Sequence, residues 1–117
     1  MESVKNDVIK LYLGVALWVA LGDGELAHAE KALIYRRLKD KFPHYIDLKN
    51  DFDNGIEDFL SSFDDSVAGV KSLIQESRQI HHIKEDLIQF AMKVVRDDGK
   101  LTEQEEYAID EIQKLLA

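Results

Sequence analysis

Cysteine is absent from this 117-residue chain, which excludes disulfide scaffolds, thiolate metal sites and cysteine nucleophiles together. Proline occurs once, at Pro43, so only one point carries a covalent bar to helix continuation. Long hydrophobic runs are missing too. The longest, Leu11 to Leu21 with Gly14 inside it, would rise only about 17 Å as a helix, against about 30 Å of bilayer hydrocarbon. It therefore reads as a buried helix rather than a membrane span. The opening residues, Met1 to Asp7, lack the basic stretch and apolar core of a secretory signal, so the cytoplasm is the expected compartment. Basic residues are in deficit, 15 against 23 acidic, for a formal charge of −8. That balance repels phosphate backbones and anionic lipid, so a nucleic-acid binder is not expected; the fitting partners are cations and basic proteins or peptides.

Strand-like alternation is also lacking, and helical periodicity fills the space it leaves. Val4, Val8, Leu11, Val15 and Trp18 or Val19 follow a 4-3-4-3 spacing, and beyond Leu11 the segment is apolar on every side, as in a central helix packed all round. It should stop at Gly22-Asp23-Gly24, where glycine can close a helix. A second helix is expected from about Ala27 to Asp40, with Leu33, Ile34 and Leu38 inward, and Pro43 marks the break after it. Tyr45, Leu48 and Phe52 predict a short helix ending near Asn54-Gly55, and Ile56, Phe59, Leu60 and Phe63 another. Asp64-Asp65-Ser66 offers capping side chains for a helix carrying Val67, Val70, Ile74 and Ile80. His81-His82 then reads as a linker. A helix through Ile83, Leu87, Phe90, Ala91 and Val94 ends at Asp98-Gly99, and Thr102 with Glu105 forms a capping-box signature for the last helix, which buries Ala108, Ile109, Ile112 and Leu116.

The two ends of the chain repeat one another. Asp23-Gly24-Glu25-Leu26 with Glu30 recurs as Asp98-Gly99-Lys100-Leu101 with Glu105 at a constant offset of 75 (23 to 98, 30 to 105), and Ala16, Val19, Ile34 and Lys39 fall on Ala91, Val94, Ile109 and Lys114. The expected fold is all-α, one domain over residues 1–117: a bundle of about six to seven helices with two pseudo-symmetric helix-turn-helix hairpins.

An Asp-Gly-x-Leu-x-x-x-Glu string resembles the second half of a calcium EF-hand loop. The first half fails, because its ligand positions fall on Val19 and Leu21 in one copy and on Val94 and Arg96 in the other. Two features of the turns remain. At 100° per residue Glu30 lies about 60° from Leu33 and 40° from Ile34, and Glu105 about 40° from Ile109 and 20° from Leu116, so both carboxylates point toward apolar stripes. Asp23 and Asp98 sit where an acid opposes the helix dipole. Helix amides and arginines such as Arg36, Arg37 and Arg96 would neutralise these acids, and so would a divalent cation held by Asp23, Glu30, Asp98 and Glu105, with Glu25 and Asp97 nearby. Oxygen ligands suit Ca²⁺, Mg²⁺ or Mn²⁺, with Zn²⁺ a further candidate.

The doubled motif, Leu21-Gly22-Asp23-Gly24-Glu25-Leu26 with Glu30 and Arg96-Asp97-Asp98-Gly99-Lys100-Leu101 with Glu105, resembles the TerB family of tellurite-resistance proteins and the related amino-terminal domain of DjlA-type J-proteins. The resemblance covers the two ends of the chain and extends to the middle only in length and helicity. It implies an all-helical bacterial or phage-borne protein, with an acidic surface able to bind divalent metal, in a stress-response assembly reached at the membrane through a partner. The sequence departs from the family pattern at Gly22, where a small Ala-type residue is usual, and at Lys100, where an acid is common.

No catalytic grouping emerges: no serine lies in a nucleophile elbow, no glycine-rich phosphate loop occurs, and no carboxylate pair stands in an acid–base motif. An enzyme is not expected. His28, His44, His81 and His82 read as surface residues, and Tyr12, Trp18 and the phenylalanines as core. The expected function is that of a non-enzymatic acidic module, binding a divalent cation or a basic partner. The alternatives are an acidic immunity or inhibitor protein facing a basic toxin or nuclease, or an adaptor for a chaperone or membrane-associated complex.

Overall fold

Nine consecutive residues, 11–19, are buried without a polar interruption, and a helix of that composition must be covered on every side. The computed structural model, which describes residues 2–21, 28–76, 80–97 and 102–116, supplies that cover. Helix α1 (Glu2–Ala20) packs against each of five others: α2 (His28–Lys41), α3 (Leu48–Ser61), α4 (Phe63–Glu76), α5 (Ile80–Asp97) and α6 (Glu103–Leu116). The outer five touch in the cyclic order α2, α3, α4, α6, α5 and back to α2, so they form a closed ring around α1. Among the described residues the chain is all-α. Its Cα radius of gyration, 13.0 Å, is that of one globule of this length.

Close approach to the central helix explains why the expected break at Asn54-Gly55 does not occur. Helix α3 runs unbroken from Leu48, burying Leu48, Phe52, Ile56 and Phe59. A Cβ on Gly55 would lie 2.8 Å from Leu17 Cδ1, so this glycine lets α3 seat against α1. Gly14 serves α4 similarly, since a Cβ there would lie 2.6 Å from Val70 Cγ2.

The middle boundaries also move. Ser62 ends α3 with an extended backbone and, through its carbonyl, accepts the Ser66 N–H at 3.0 Å, while its hydroxyl donates to Asp65 Oδ2 at 2.8 Å. The cap of α4 is thus Ser62 rather than Asp64-Asp65-Ser66, and Phe63 is already helical. Helix α4 stops at Glu76; Ile80, His81 and His82 belong to the first turn of α5, not to α4 and a linker. Two residues expected inward face out. Leu33 is 38% exposed, because the buried stripe of α2 is Ile34 and Leu38, and Leu60 is 60% exposed, because α3 buries Ile56 and Phe59. Pro43 follows α2 as expected, just after the Phe42 N–H has bonded the Leu38 carbonyl at 2.9 Å. Tyr45 then donates to Asp51 Oδ2 at 2.5 Å, tying the α2–α3 connection to α3.

Candidate functional site

The repeated carboxylates separate into two described and two not. Asp23 and Asp98 lie outside the described residues, as does Glu25. Glu30 is half-buried in the first turn of α2, and Glu105, in the first turn of α6, is only 3% exposed. The inward bearing read from helical angles therefore holds strongly for Glu105 and partly for Glu30.

Glu105 is compensated by its own helix start. The Thr102 N–H donates to Glu105 Oε1 at 3.2 Å, and the Glu105 N–H donates to Thr102 Oγ1 at 3.1 Å. This reciprocal pair satisfies two of the amides that a helix N-terminus leaves open, and the dipole there favours the negative charge. The capping-box reading of Thr102 and Glu105 is thereby met. Among the described residues no group of three or more histidine, aspartate or glutamate side chains could hold a metal ion, and all four histidines are exposed. A cation held by the repeated acids would depend on Asp23 and Asp98 for its remaining ligands.

Burial tests how deep the repeat goes. In the first helix of each hairpin one stripe matches, since Val15 with Phe90, Ala16 with Ala91 and Val19 with Val94 are all core, while the buried Leu17 and Trp18 of α1 fall on the exposed Met92 and Lys93 of α5. In the second helix the inner face shifts by one residue. Helix α6 buries Ala108, Ile112 and Leu116, whereas the equivalent Leu33, Arg37 and Lys41 of α2 are exposed or half-buried and their neighbours Ile34 and Leu38 are core. One residue is about 100° of helix rotation, so α2 and α6 present different faces to α1.

A second polar cluster had no motif to announce it. Tyr12 is buried in α1, its hydroxyl donates to Asp86 of α5, and Lys41 at the end of α2 reaches the same carboxylate oxygen at 2.5 Å. The Lys41 ammonium also lies 4.9 Å from the Tyr12 ring centroid, and Phe42 and Phe90 pack edge-on against that ring. Burial first, then the hydrogen bond to Asp86 and its negative charge, holds the Tyr12 phenol well above its usual value. Burial pushes the Asp86 carboxyl up, but hydrogen bonds from Lys41 and Tyr12, with the charges of Lys41 and Lys93, outweigh it and leave the group below 3.8. A neutral tyrosine and an ionised carboxylate locked in one network pin three helices together. The only sequence sign was a tyrosine on an apolar helix, whose hydroxyl must find a partner once buried.

Charge is distributed unevenly around the ring. Helices α3, α4 and α6, consecutive in the ring, carry twelve acidic residues and three lysines, whereas α2 carries two acidic and five basic residues. Between α4 and α6 an open groove of about 670 Å³ reaches down to Trp18 of α1. Phe63, Asp64, Val67 and Ala68 line it from α4, and Glu103, Gln104 and Tyr107 from α6. Within it the Lys71 ammonium lies 5.7 Å from the Trp18 ring centroid and 3.8 Å from Glu111 Oε2. Tyr107 is 63% exposed, and its hydrogen bond with Glu111, followed by that residue's charge, raises its phenol above the usual value.

No family model matches the chain, and neither the curated proteins nor the solved structures contain a match to it. Among the described residues no helix is long and apolar enough to cross a membrane.

Proposed function

We propose that this chain is a non-enzymatic interaction module whose acidic side, α3, α4 and α6, engages a basic protein partner. The observation that supports this reading is the segregation of charge: twelve acidic residues against three lysines on three helices consecutive in the ring. Such a field raises the rate of encounter with a positive surface and disfavours acidic competitors. The two TerB-like turns are the ground for expecting that partner in a stress-response assembly.

Cross-linking in cells followed by mass spectrometry tests the reading when run beside a variant in which exposed acids of this side are neutralised, Asp53→Asn, Glu57→Gln, Glu103→Gln and Glu106→Gln. The expected outcome is a basic partner lost in the variant and at high salt. Capture indifferent to both would refute it. A partner that proves to be a toxin or nuclease would make the chain its inhibitor. Titration with Ca²⁺, Mg²⁺, Mn²⁺ and Zn²⁺ addresses the cation separately: saturable binding below about 1 mM, abolished by the Asp23→Asn, Asp98→Asn double variant, would add a metal at the paired turns.

A further inference from the structure

The groove between α4 and α6 combines three properties that bear on one kind of occupant. Its lining joins apolar and aromatic side chains, with Trp18 at the floor and Phe63, Val67 and Tyr107 on the walls, to the polar Asp64, Lys71, Glu103 and Gln104. Its volume, about 670 Å³, falls within the roughly 300–1,000 Å³ of sites that take up side chains or ligands. Its two walls are helices that together carry, besides the buried Glu105, seven acidic residues reached by solvent and two lysines. Among the described residues the one basic side chain lining it, Lys71, is held between the Trp18 ring and the Glu111 carboxylate, so the groove already lodges an ammonium group over an indole.

From this geometry we infer that the groove is the docking site for a basic polypeptide segment carrying an apolar anchor. The anchor enters between Phe63, Val67 and Tyr107, and its lysines or arginines meet Asp64, Glu103 and the acids along α6. Charge complementarity selects the occupant: an acidic or neutral segment would gain the apolar contact but meet the like charge of both walls. The inference rests on the interaction reading above and assigns it a place.

Trp18 is the only tryptophan, so its fluorescence reports on the groove floor directly. The probe is a synthetic 14-residue peptide with leucine at helical spacing and lysine elsewhere, compared with a peptide of equal charge in which serine replaces every leucine. The expected result is saturable binding of the leucine peptide with a change in Trp18 emission, and binding of the serine peptide weaker by about tenfold or more, as befits loss of a buried leucine side chain. Ala68→Phe, at an exposed helix position, fills the groove without altering charge and should weaken the leucine peptide by a similar factor, while Asp53→Asn with Glu57→Gln on α3 leaves it nearly unchanged. Lys71→Gln removes the resident cation and should tighten binding by about two- to fivefold.

Equal binding of the two peptides, or an Ala68→Phe variant that binds like the wild type, overturns the groove. The acidic-side reading survives that result and is judged by the cell cross-linking. Absence of binding by either peptide to folded protein also overturns the groove. Self-association in sedimentation that Ala68→Phe abolishes would make the occupant a second copy of the chain, and the inference as stated would fall.

Discussion

Replacing Gly14 with alanine should destabilise the protein, although the same change in an ordinary helix stabilises it. A methyl at Gly14 would lie 2.6 Å from Val70 Cγ2 and 3.6 Å from its Cβ and Cγ1. Carbon atoms rest about 3.5–4.0 Å apart, so the two helices must separate by about 1 Å or Val70 must leave its rotamer. Valine in a helix has essentially one χ1 well, which closes the second route. Overpacking of this kind costs about 1–3 kcal/mol, and the better helix propensity of alanine returns about 1 kcal/mol, leaving a net loss of about 1 kcal/mol. Val70→Ala alone removes two buried methyl groups and should cost about 2 kcal/mol. Combined with Gly14→Ala it should cost far less than the two losses added, because the new methyl occupies the vacated space, and the coupling should reach about 1 kcal/mol. Urea unfolding followed by Trp18 fluorescence and far-ultraviolet circular dichroism measures all four corners of the cycle. A stabilised Gly14→Ala protein, or strictly additive losses, would refute the close approach of α1 and α4.

Gly69 lies on α4 with nothing within 4 Å of its missing Cβ, so Gly69→Ala should stabilise by about 0.5–1 kcal/mol in the same assay. Thr102→Ala should cost about 1 kcal/mol by removing one arm of the capping box, and Glu105→Ala made in that background should cost less than in the wild type; additive losses would show the two arms to be independent. Asp86 has a carboxyl held below 3.8, so its contribution is complete above that value and is lost as pH falls through the lower, folded-state value. Stability of wild type and Asp86→Asn should therefore differ near neutral pH and converge as the pH falls below the carboxylate range, and a gap that persists in acid would refute the ion-paired network.

Elements set by a long periodic pattern could be read from the chain. Helix α1 was legible because nine successive buried residues allow no other placement, and the start of α6 because Thr102 and Glu105 are spaced for a reciprocal cap. The middle third was harder because its punctuation is ambiguous. Asn54-Gly55 looks like a stop, and only the nearness of Leu17 explains a glycine inside a helix. Asp64-Asp65-Ser66 looks like a cap, yet Ser62 begins the turn. The groove was beyond reach, since Trp18, Phe63 and Tyr107 come from three helices whose adjacency depends on the order of the ring.

The repeat itself gains a sharper meaning from the rotation between its second helices. Glu30 and Glu105 are equivalent in sequence, but α6 turns Glu105 into the same buried stripe as Ala108 and Ile112, whereas α2 leaves Glu30 half-buried beside a stripe of Ile34 and Leu38. Loss of Glu105 removes an acceptor from a shielded amide and empties space in the interior; loss of Glu30 opens a position that water already reaches. Glu105→Ala should therefore cost about 1–2 kcal/mol and Glu30→Ala less than about 1 kcal/mol, measured by urea unfolding in metal-free buffer. Equal costs would mean that the hairpins are equivalent in packing despite the shifted stripe. If added Ca²⁺ or Mg²⁺ stabilises the wild type and each single variant abolishes that gain to the same extent, the two glutamates share one cation. Unequal costs that divalent ions leave unchanged would make the glutamates two separate helix starts, preserved by duplication and put to different structural uses.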